Sequence, residues 1–234
     1  MKKCMVISGQ YRTFDKTWPK LKEFIDINQL DVYAHLWGVT DEQENLRQFH
    51  EVKDRLQPKR IFQQPLTDSV ADEFNSIQER ILTANPKGPN EDKLAGNASM
   101  NYSRDAALQM VNQEYDMLVY CRYDIGFNQM FSFDSVDRII TPEEESYNLI
   151  SDIFAIMPMS MSKSYFLYKD YERLHSTPWE PEFLDWLRNV KKYPEQDIQT
   201  HIKTRYCPHL MLMRNIIMNG HTYHITNLPV HLQR

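Results

Sequence analysis

An α/β sandwich with a mainly parallel, mixed central sheet flanked by helices is the fold class this sequence predicts. Three observations lead there. Short, β-prone apolar runs alternate with longer segments of helical periodicity through most of the chain. The run Asp116-Met117-Leu118-Val119-Tyr120-Cys121 is apolar almost without interruption, as suits a central strand covered on both faces. A length of 234 residues fits one such domain around one continuous core.

The elements follow in order. Cys4 to Ser8 is apolar and stops at Gly9, a buried strand that delivers a loop. Thr17 to Phe24 carries Trp18, Leu21, Phe24 and the adjoining Ile25 at helical intervals, and Pro19 is tolerated in a first turn. Asp31 to Trp37 alternates and ends at Gly38, a second strand. Asp41 to Leu56 reads as a surface helix, and Arg60-Ile61-Phe62 as a third short strand. Ser69 to Leu82 places Val70, Phe74, Ile77 and Ile81 on one helical face. Residues 84–97, rich in Asn, Pro, Gly and Lys, predict a long loop of the kind that carries function. Ser99 to Glu114 returns to helix before the central strand. The acidic run Glu143-Glu144-Glu145 predicts a solvated turn or helix start, and Tyr147 to Met157 a further strand. Ser162 to Leu174, Glu182 to Val190, Glu195 to Lys203 and Pro208 to Asn219 predict helices, the last stopped by Gly220, and Thr222 to Thr226 a closing strand.

Composition excludes several classes. Hydrophobic residues make up 41% and charged residues 25%, a globular balance that argues against disorder. A net charge of −5 gives no footprint for general nucleic-acid binding, although a local basic patch can still hold a phosphate. Cys4, Cys121 and Cys207 are sparse and odd in number, which argues against a disulfide framework and predicts a reducing, cytoplasmic compartment. The opening apolar run is too short for a signal-peptide core or a membrane span, so no membrane span is expected.

In parallel sheets, ligands bind beyond the carboxyl ends of the strands, so the loops after Ile7, Cys121 and Ile150 are where chemistry is expected. Ser8-Gly9-Gln10-Tyr11-Arg12-Thr13-Phe14 offers a glycine for close backbone approach, two hydroxyls, and a guanidinium fork for phosphate. A plain strand-to-helix turn with an exposed Arg12 fits equally; neither GxGxxG nor GxxxxGK[ST] is present. Arg122-Tyr123-Asp124 leaves the most apolar strand. Asp124 can ligate a divalent cation and Arg122 can pair with a phosphate; alternatively the two form a structural pair at the strand exit. Asp152 can bind an acceptor hydroxyl or act as a general base, or simply cap a turn. Glu195 and Asp197 read as first-turn acids of a helix. His221 and His224, on a predicted strand, face opposite sides. Met211, Met213 and Met218 read as core, and Trp37, Trp179 and Trp186 as packing or a sugar-stacking platform.

Taken together, four of these segments resemble a known arrangement. Ser8 to Phe14 resembles the "SGQxRTF" opening of small GT-A-like nucleotide-sugar glycosyltransferases of viruses and bacterial polysaccharide loci, and Asp31 to Trp37 their "DVYxHxW" strand. Met100-Asn101-Tyr102-Ser103 followed by Tyr115 to Asp124 is similar to their helix–strand–RxD passage, and Ser151 to Ile156 to their "sDxFAI" strand. The resemblance implies a GT-A-like, Rossmann-type sandwich with a nucleotide-sugar-binding half at 1–125 and an acceptor-binding half at 126–234. It implies a nucleotide-diphosphate-sugar donor, a glycan or other hydroxyl acceptor, Mn²⁺ or Mg²⁺, and host cytoplasm for a viral chain. On that pattern Ser8, Gly9, Arg12, Arg122 and Asp124 hold the donor, Asp124 being the metal-side acid. Asp152 would be the catalytic base of an inverting reaction, and residues 84–97 the lid. Arg122 stands where the family's DxD motif has its first acid. Two other readings compete: a sugar-nucleotide nucleotidyltransferase, against which Ser8 to Phe14 holds only one Gly and one Arg, and a catalytically silent carbohydrate- or nucleotide-binding module.

Overall fold

The structure is a computed structural model that describes residues 1–65, 67–84, 91–144, 149–166, 168–204 and 208–233. The chain opens with β1 (Lys3–Gln10), α1 (Phe14–Asn28), β2 (Asp31–Trp37), α2 (Glu42–Leu56) and β3 (Arg60–Gln64), then α3 (Asp68–Ala84) and α4 (Glu91–Gln109) lead to β4 (Met117–Arg122). These strands are mutually parallel and lie in the order β3-β2-β1-β4. The chain thus walks outward from β1 to β3 and then returns to the other side of β1. That reversal makes the gap between the carboxyl ends of β1 and β4 a topological switch point, where helices leave on opposite faces and a crevice opens.

Past β4 the sheet changes sense. A short β5 (Ile125–Phe127) is followed by β6 (Ile139–Glu144), β7 (Leu149–Ile150) and β8 (Phe154–Pro158), and β8 runs antiparallel to β4 with Cys121 opposite Phe154. α5 (Ser162–Tyr165), α6 (Tyr168–Ser176), α7 (Pro181–Asp185) with a π-helical continuation over Trp186–Val190, α8 (Glu195–Thr204) and α9 (Pro208–Met218) cover one face. β9 (Tyr223–Thr226) pairs parallel with β6, and β10 (Val230–Leu232) pairs with β5 in a separate two-stranded ladder. The result is an α/β sandwich with a mixed, mainly parallel sheet, as the alternation predicts.

The two-residue period of the strands builds both cores. Met5, Ile7, Val32, Ala34, Val119 and Cys121 point to the side of α1 and α2, where Phe14, Leu21, Phe24, Val52 and Leu56 meet them. Cys4, Val6, Tyr33, Leu118 and Tyr120 point to the other side, against Ala107 of α4 and the α6–α9 layer. Each fully buried Val, Leu, Ile, Phe or Met among them contributes about 1.5–3 kcal/mol by leaving water. Burial also pushes the Cys4 thiol up to about 12, helped by nearby Asp31, so it packs as an inert apolar group.

Several expectations need correction. The loop expected over 84–97 is cut short because α4 begins at Glu91; residues 85–90 lie outside the described residues. Asn, Pro and Gly drew that boundary, yet Glu91-Asp92-Lys93-Leu94-Ala95 is a run that mostly favours helix. Glu143 and Glu144 belong to β6, paired with Ile150 and Leu149, rather than to a turn; Glu145 is outside the described residues, as is Cys207. The strand expected over 147–157 is two strands divided at Ser151–Ile153, and the helix over 162–174 breaks after Tyr165. β9 starts at Tyr223, so His221 stands outside it. Met211 and Met213 are core, but Met218 is exposed. No helix among the described residues is long and apolar enough to cross a membrane.

Candidate functional site

A cavity of about 310 Å³ opens at the switch point, lined by the ends of β1, β2 and β4 and by one face of α4. Its walls are Ser8, Gly9, Gln10, Arg12, Trp37, Gly96, Asn97, Ser99, Met100, Arg122, Tyr123 and Asp124. Strand register explains the convergence: Ser8 lies opposite Arg122 on one side and His35 on the other, and Gln10 opposite Trp37. Three of the four segments that carry the sequence resemblance therefore meet at one sheet edge by simple pairing.

The end of β1 and the loop after it take an unusual path. Gly9 has φ +127° and Arg12 has φ +37°, both in the region that disfavours side chains. A Cβ at Gly9 would meet nothing within 4 Å, so backbone conformation alone calls for glycine there. Arg12 has no such excuse. A non-glycine residue held at positive φ beside a cavity is the kind of local strain that collects at binding sites. Thr17 donates to the Tyr123 carbonyl at 2.6 Å, and Gln233 donates to the Asp124 carbonyl at 2.8 Å, so α1 and the C-terminal segment pin the β4 exit from both ends.

The charges are arranged as a fork. Arg122 donates from Nε to Asp124 Oδ1 at 2.9 Å and from Nη2 to Oδ2 at 2.7 Å. Arg12 reaches the same Oδ2 from Nη1 at 3.5 Å and donates from Nε to Gln10 Oε1 at 2.9 Å. Side-chain exposure runs from 55% at Arg12 through 19% at Arg122 to 7% at Asp124, so the carboxylate lies deepest. Burial works to lower the Arg122 pKa, but the Asp124 carboxylate outweighs it and raises the value. Two guanidiniums and one carboxylate leave the cavity wall with a net positive charge, in a chain whose total is −5.

Trp37 lines the cavity and stacks on Tyr102, with ring centres 5.7 Å apart and planes 30° from parallel. Behind it, His35 bonds through Nδ1 to Ser103 Oγ at 2.7 Å, while its Nε2 has no partner among the described residues. Burial lowers the His35 pKa to about 4, so the ring is neutral. Ser8 Oγ is likewise buried without a partner among the described residues, at the cavity wall.

Of the residues picked from the sequence, Ser8, Gly9, Arg12, Arg122 and Asp124 line this one cavity. Asp152 does not. Because β8 is antiparallel, the turn before it lies at the same sheet edge as Arg122, but its carboxylate faces a separate small cavity with Arg104, Tyr171 and His175. Arg104 Nη2 stands 3.3 Å from Asp152 Oδ2 and also donates to the Asp152 carbonyl oxygen. Arg104 is itself buried, with its guanidinium 4.8 Å from the Tyr120 ring centre. Burial pushes the Asp152 pKa up, but Arg104, His209 and Arg122 together bring it below the ordinary carboxylate value. A carboxylate held ionised by a buried arginine is a weak base.

Sequence reasoning missed Gln10, Asn97, Ser99 and Met100 as wall residues and Arg104 as the holder of Asp152. Gln10 lay inside the chosen segment and Asn97 at the end of the 84–97 lid, while Ser99 and Met100 fell in the helix expected from Ser99. Arg104 left a signal: an arginine on a helix face otherwise committed to the sheet. Glu195 pairs with Arg188 at 2.8 Å in the first turn of α8, a structural use. Among the described residues, no three His, Cys, Asp or Glu side chains gather as a metal shell.

No family model and no curated protein matches the chain. Among solved structures it is similar to the apo form of mouse xyloside xylosyltransferase 1, with 8% identity over 97% of this chain and 85% of that chain, at a TM-score of 0.47.

Proposed function

We propose that this chain is a GT-A-like glycosyltransferase that takes a sugar from a nucleotide-diphosphate donor bound in the switch-point cavity. The observation that carries the reading is the convergence of Ser8-Gly9-Gln10-Tyr11-Arg12, Trp37 and Arg122-Tyr123-Asp124 on one positively charged crevice. Residues 1–125 supply that crevice, and 126–234 supply the acceptor side.

The reaction needs little covalent help from the protein. The bond between the anomeric carbon and the diphosphate oxygen breaks, and its electrons go to the leaving group. The acceptor oxygen bonds to that carbon and passes its proton to the departing diphosphate oxygen. The largest barrier term is charge developing on the diphosphate, and fixed positive groups in a partly dry cavity stabilise it most effectively. Arg12, half-exposed at the rim, faces the phosphates, and Trp37 offers an apolar edge to the base or sugar. Asp152 was the sequence candidate for the base. Its bond to Arg104 and its depressed pKa fit a positioning role instead, holding Arg104 against Met100, which lines the cavity.

The test is a melting screen with UDP-, GDP- and dTDP-sugars. A bound donor at about 100 times its Kd adds about 2.7 kcal/mol and raises Tm visibly. The expected result is one donor class that stabilises the wild type, fails to stabilise Arg12→Ala, and releases nucleoside diphosphate on incubation. If no donor raises Tm, the transferase reading is wrong.

A further inference from the structure

We infer that this cavity clamps a diphosphate without a divalent cation, using Arg12 and Arg122 as the phosphate-facing groups and Asp124 as the residue that holds Arg122 in place. The inference rests on the donor site proposed above and departs from it on one point, the cation.

Asp124 is the acid that a bridging cation would need, and its carboxylate is already engaged. Both oxygens accept from Arg122, at 2.9 and 2.7 Å, in the parallel fork that suits a guanidinium and a carboxylate. Arg12 adds a third positive contact at 3.5 Å. A hard dication at this carboxylate would have to displace Arg122 and sit within a few ångströms of two guanidiniums, where like charges repel strongly in a partly buried site. An anion meets the opposite situation. The wall carries a net positive charge before any ligand arrives.

The donors left over point to the same ligand. Arg122 commits Nε and Nη2 to Asp124, and its Nη1 has no hydrogen bond among the described residues. Arg12 commits Nε to Gln10 and Nη1 weakly to Asp124, which leaves Nη2. Ser8 Oγ is buried and unpartnered among the described residues. A buried donor is normally matched, and Ser8 Oγ is not; with Arg122 Nη1 and the exposed Arg12 Nη2 uncommitted at the same cavity, the wall suits an acceptor-rich guest. Ser8 faces Arg122 across the β1–β4 ladder, and Arg12 follows in the loop that leaves β1, so the sheet fixes Ser8 against Arg122 and the loop brings Arg12 to the same carboxylate. Positive φ at Gly9 and at Arg12 turns the first loop back toward that exit. Asp124 then acts through Arg122: it fixes the plane of the guanidinium and leaves one edge outward.

The experiment is calorimetry of the full chain with inorganic pyrophosphate, in EDTA and again with Mg²⁺. The expected Kd differs by less than about threefold between the two, since the clamp supplies its own charge. Arg12→Ala and Arg122→Ala should each weaken binding by about 10–100-fold in EDTA, the range for losing a charge-assisted contact. Arg122→Lys, which keeps the charge and is gentler on the fold, should recover only part of that loss, because it cannot form the fork. Asp124→Asn should weaken binding equally with and without Mg²⁺, and should have no further effect in the Arg122→Ala background. Binding that requires Mg²⁺, with an Asp124→Asn loss seen only when Mg²⁺ is present, overturns the inference; so does no binding in either buffer. The two readings separate cleanly. A donor sugar turned over only with Mg²⁺ leaves the transferase and removes the cation-free clamp. Pyrophosphate bound in EDTA with no donor sugar bound leaves the clamp and removes the transferase.

Discussion

Arg122 and Arg214 make the same fork and serve different ends. Arg214, on α9, gives Nε and Nη2 to Glu180, each at 2.7 Å, its Nη1 to the Leu174 carbonyl at 2.6 Å, and Nη2 again to Thr177 and the Pro178 carbonyl at 3.0 Å. Every nitrogen is used, and the side chain is wholly buried. Arg122 makes the fork and stops there, at a cavity wall. The difference teaches how to tell a structural ion pair from a ligand-facing one. Arg214 serves the fold, and its donors are matched by neighbouring acceptors, because each unmatched buried donor costs free energy. An arginine that serves a ligand keeps donors in reserve.

The largest effect should come from breaking the complete set. Arg214→Met is expected to cost about 3–5 kcal/mol in urea unfolding, because Glu180 and three backbone or hydroxyl acceptors lose their partner at once. Pyrophosphate affinity should not change. Arg122→Met should cost less than half as much, since Asp124 keeps Arg12 and lies beside the open cavity, while affinity falls. Equal unfolding costs for the two variants would break the comparison.

His35 is a second incomplete set, buried beside the site with Nε2 unpartnered among the described residues. Its folded pKa is depressed to about 4 from 6.5, chiefly by burial. Between those values the unfolded chain binds a proton that the folded chain does not, so stability falls as pH drops from about 6.5 toward 4, by about 3 kcal/mol at most. His35→Phe should flatten urea midpoints between pH 7 and pH 5; an unchanged slope assigns the titration elsewhere. Acid loss from Asp152, whose pKa lies below its usual value of 3.8, belongs to a lower window.

Smaller effects sharpen the picture. Gly126, in the β5–β10 ladder that braces Asp124, lies under the His231 ring: a Cβ would fall 2.6 Å from its Nε2, so the ring would have to swing aside. Gly126→Ala should cost about 1–3 kcal/mol by calorimetric unfolding, with a parallel loss of anion affinity as the brace shifts. Arg12→Gly should move the two readouts in opposite directions. Relief of the positive φ raises stability by up to about 1 kcal/mol, while loss of the guanidinium lowers pyrophosphate affinity. A variant that is both less stable and unaltered in binding would return Arg12 to an ordinary turn.

Most of the fold was legible because its signals are local. The β2 bounds Asp31–Trp37 follow from alternation and Gly38, and the central β4 from an uninterrupted apolar run. β5, β6 and β10 were not legible. Ile125-Gly126-Phe127 and Val230-His231-Leu232 are three residues each, too short for a period to register, and they become strands only by pairing with each other. The candidate site was legible at the β1 and β4 exits, where polar residues follow buried strands. Asn97, Ser99 and Met100 were not, because α4 brings them over the sheet from far away in sequence.

What the sequence determined by itself is the layering: which residues alternate, which runs are buried on both sides, and which polar residues stand at the ends of those runs. Period and burial are properties of neighbouring residues, so they survive in one dimension. What only the tertiary structure decided is pairing. Strand order put β1 beside β4 and Ser8 opposite Arg122, antiparallel β8 brought Asp152 to the same edge yet into another cavity, and side-chain geometry gave Asp124 to Arg122. Those are contacts across more than a hundred residues for Ser8 and Arg122, and across two residues with a chosen rotamer for Arg122 and Asp124. Neither long-range register nor side-chain orientation leaves a mark on local composition.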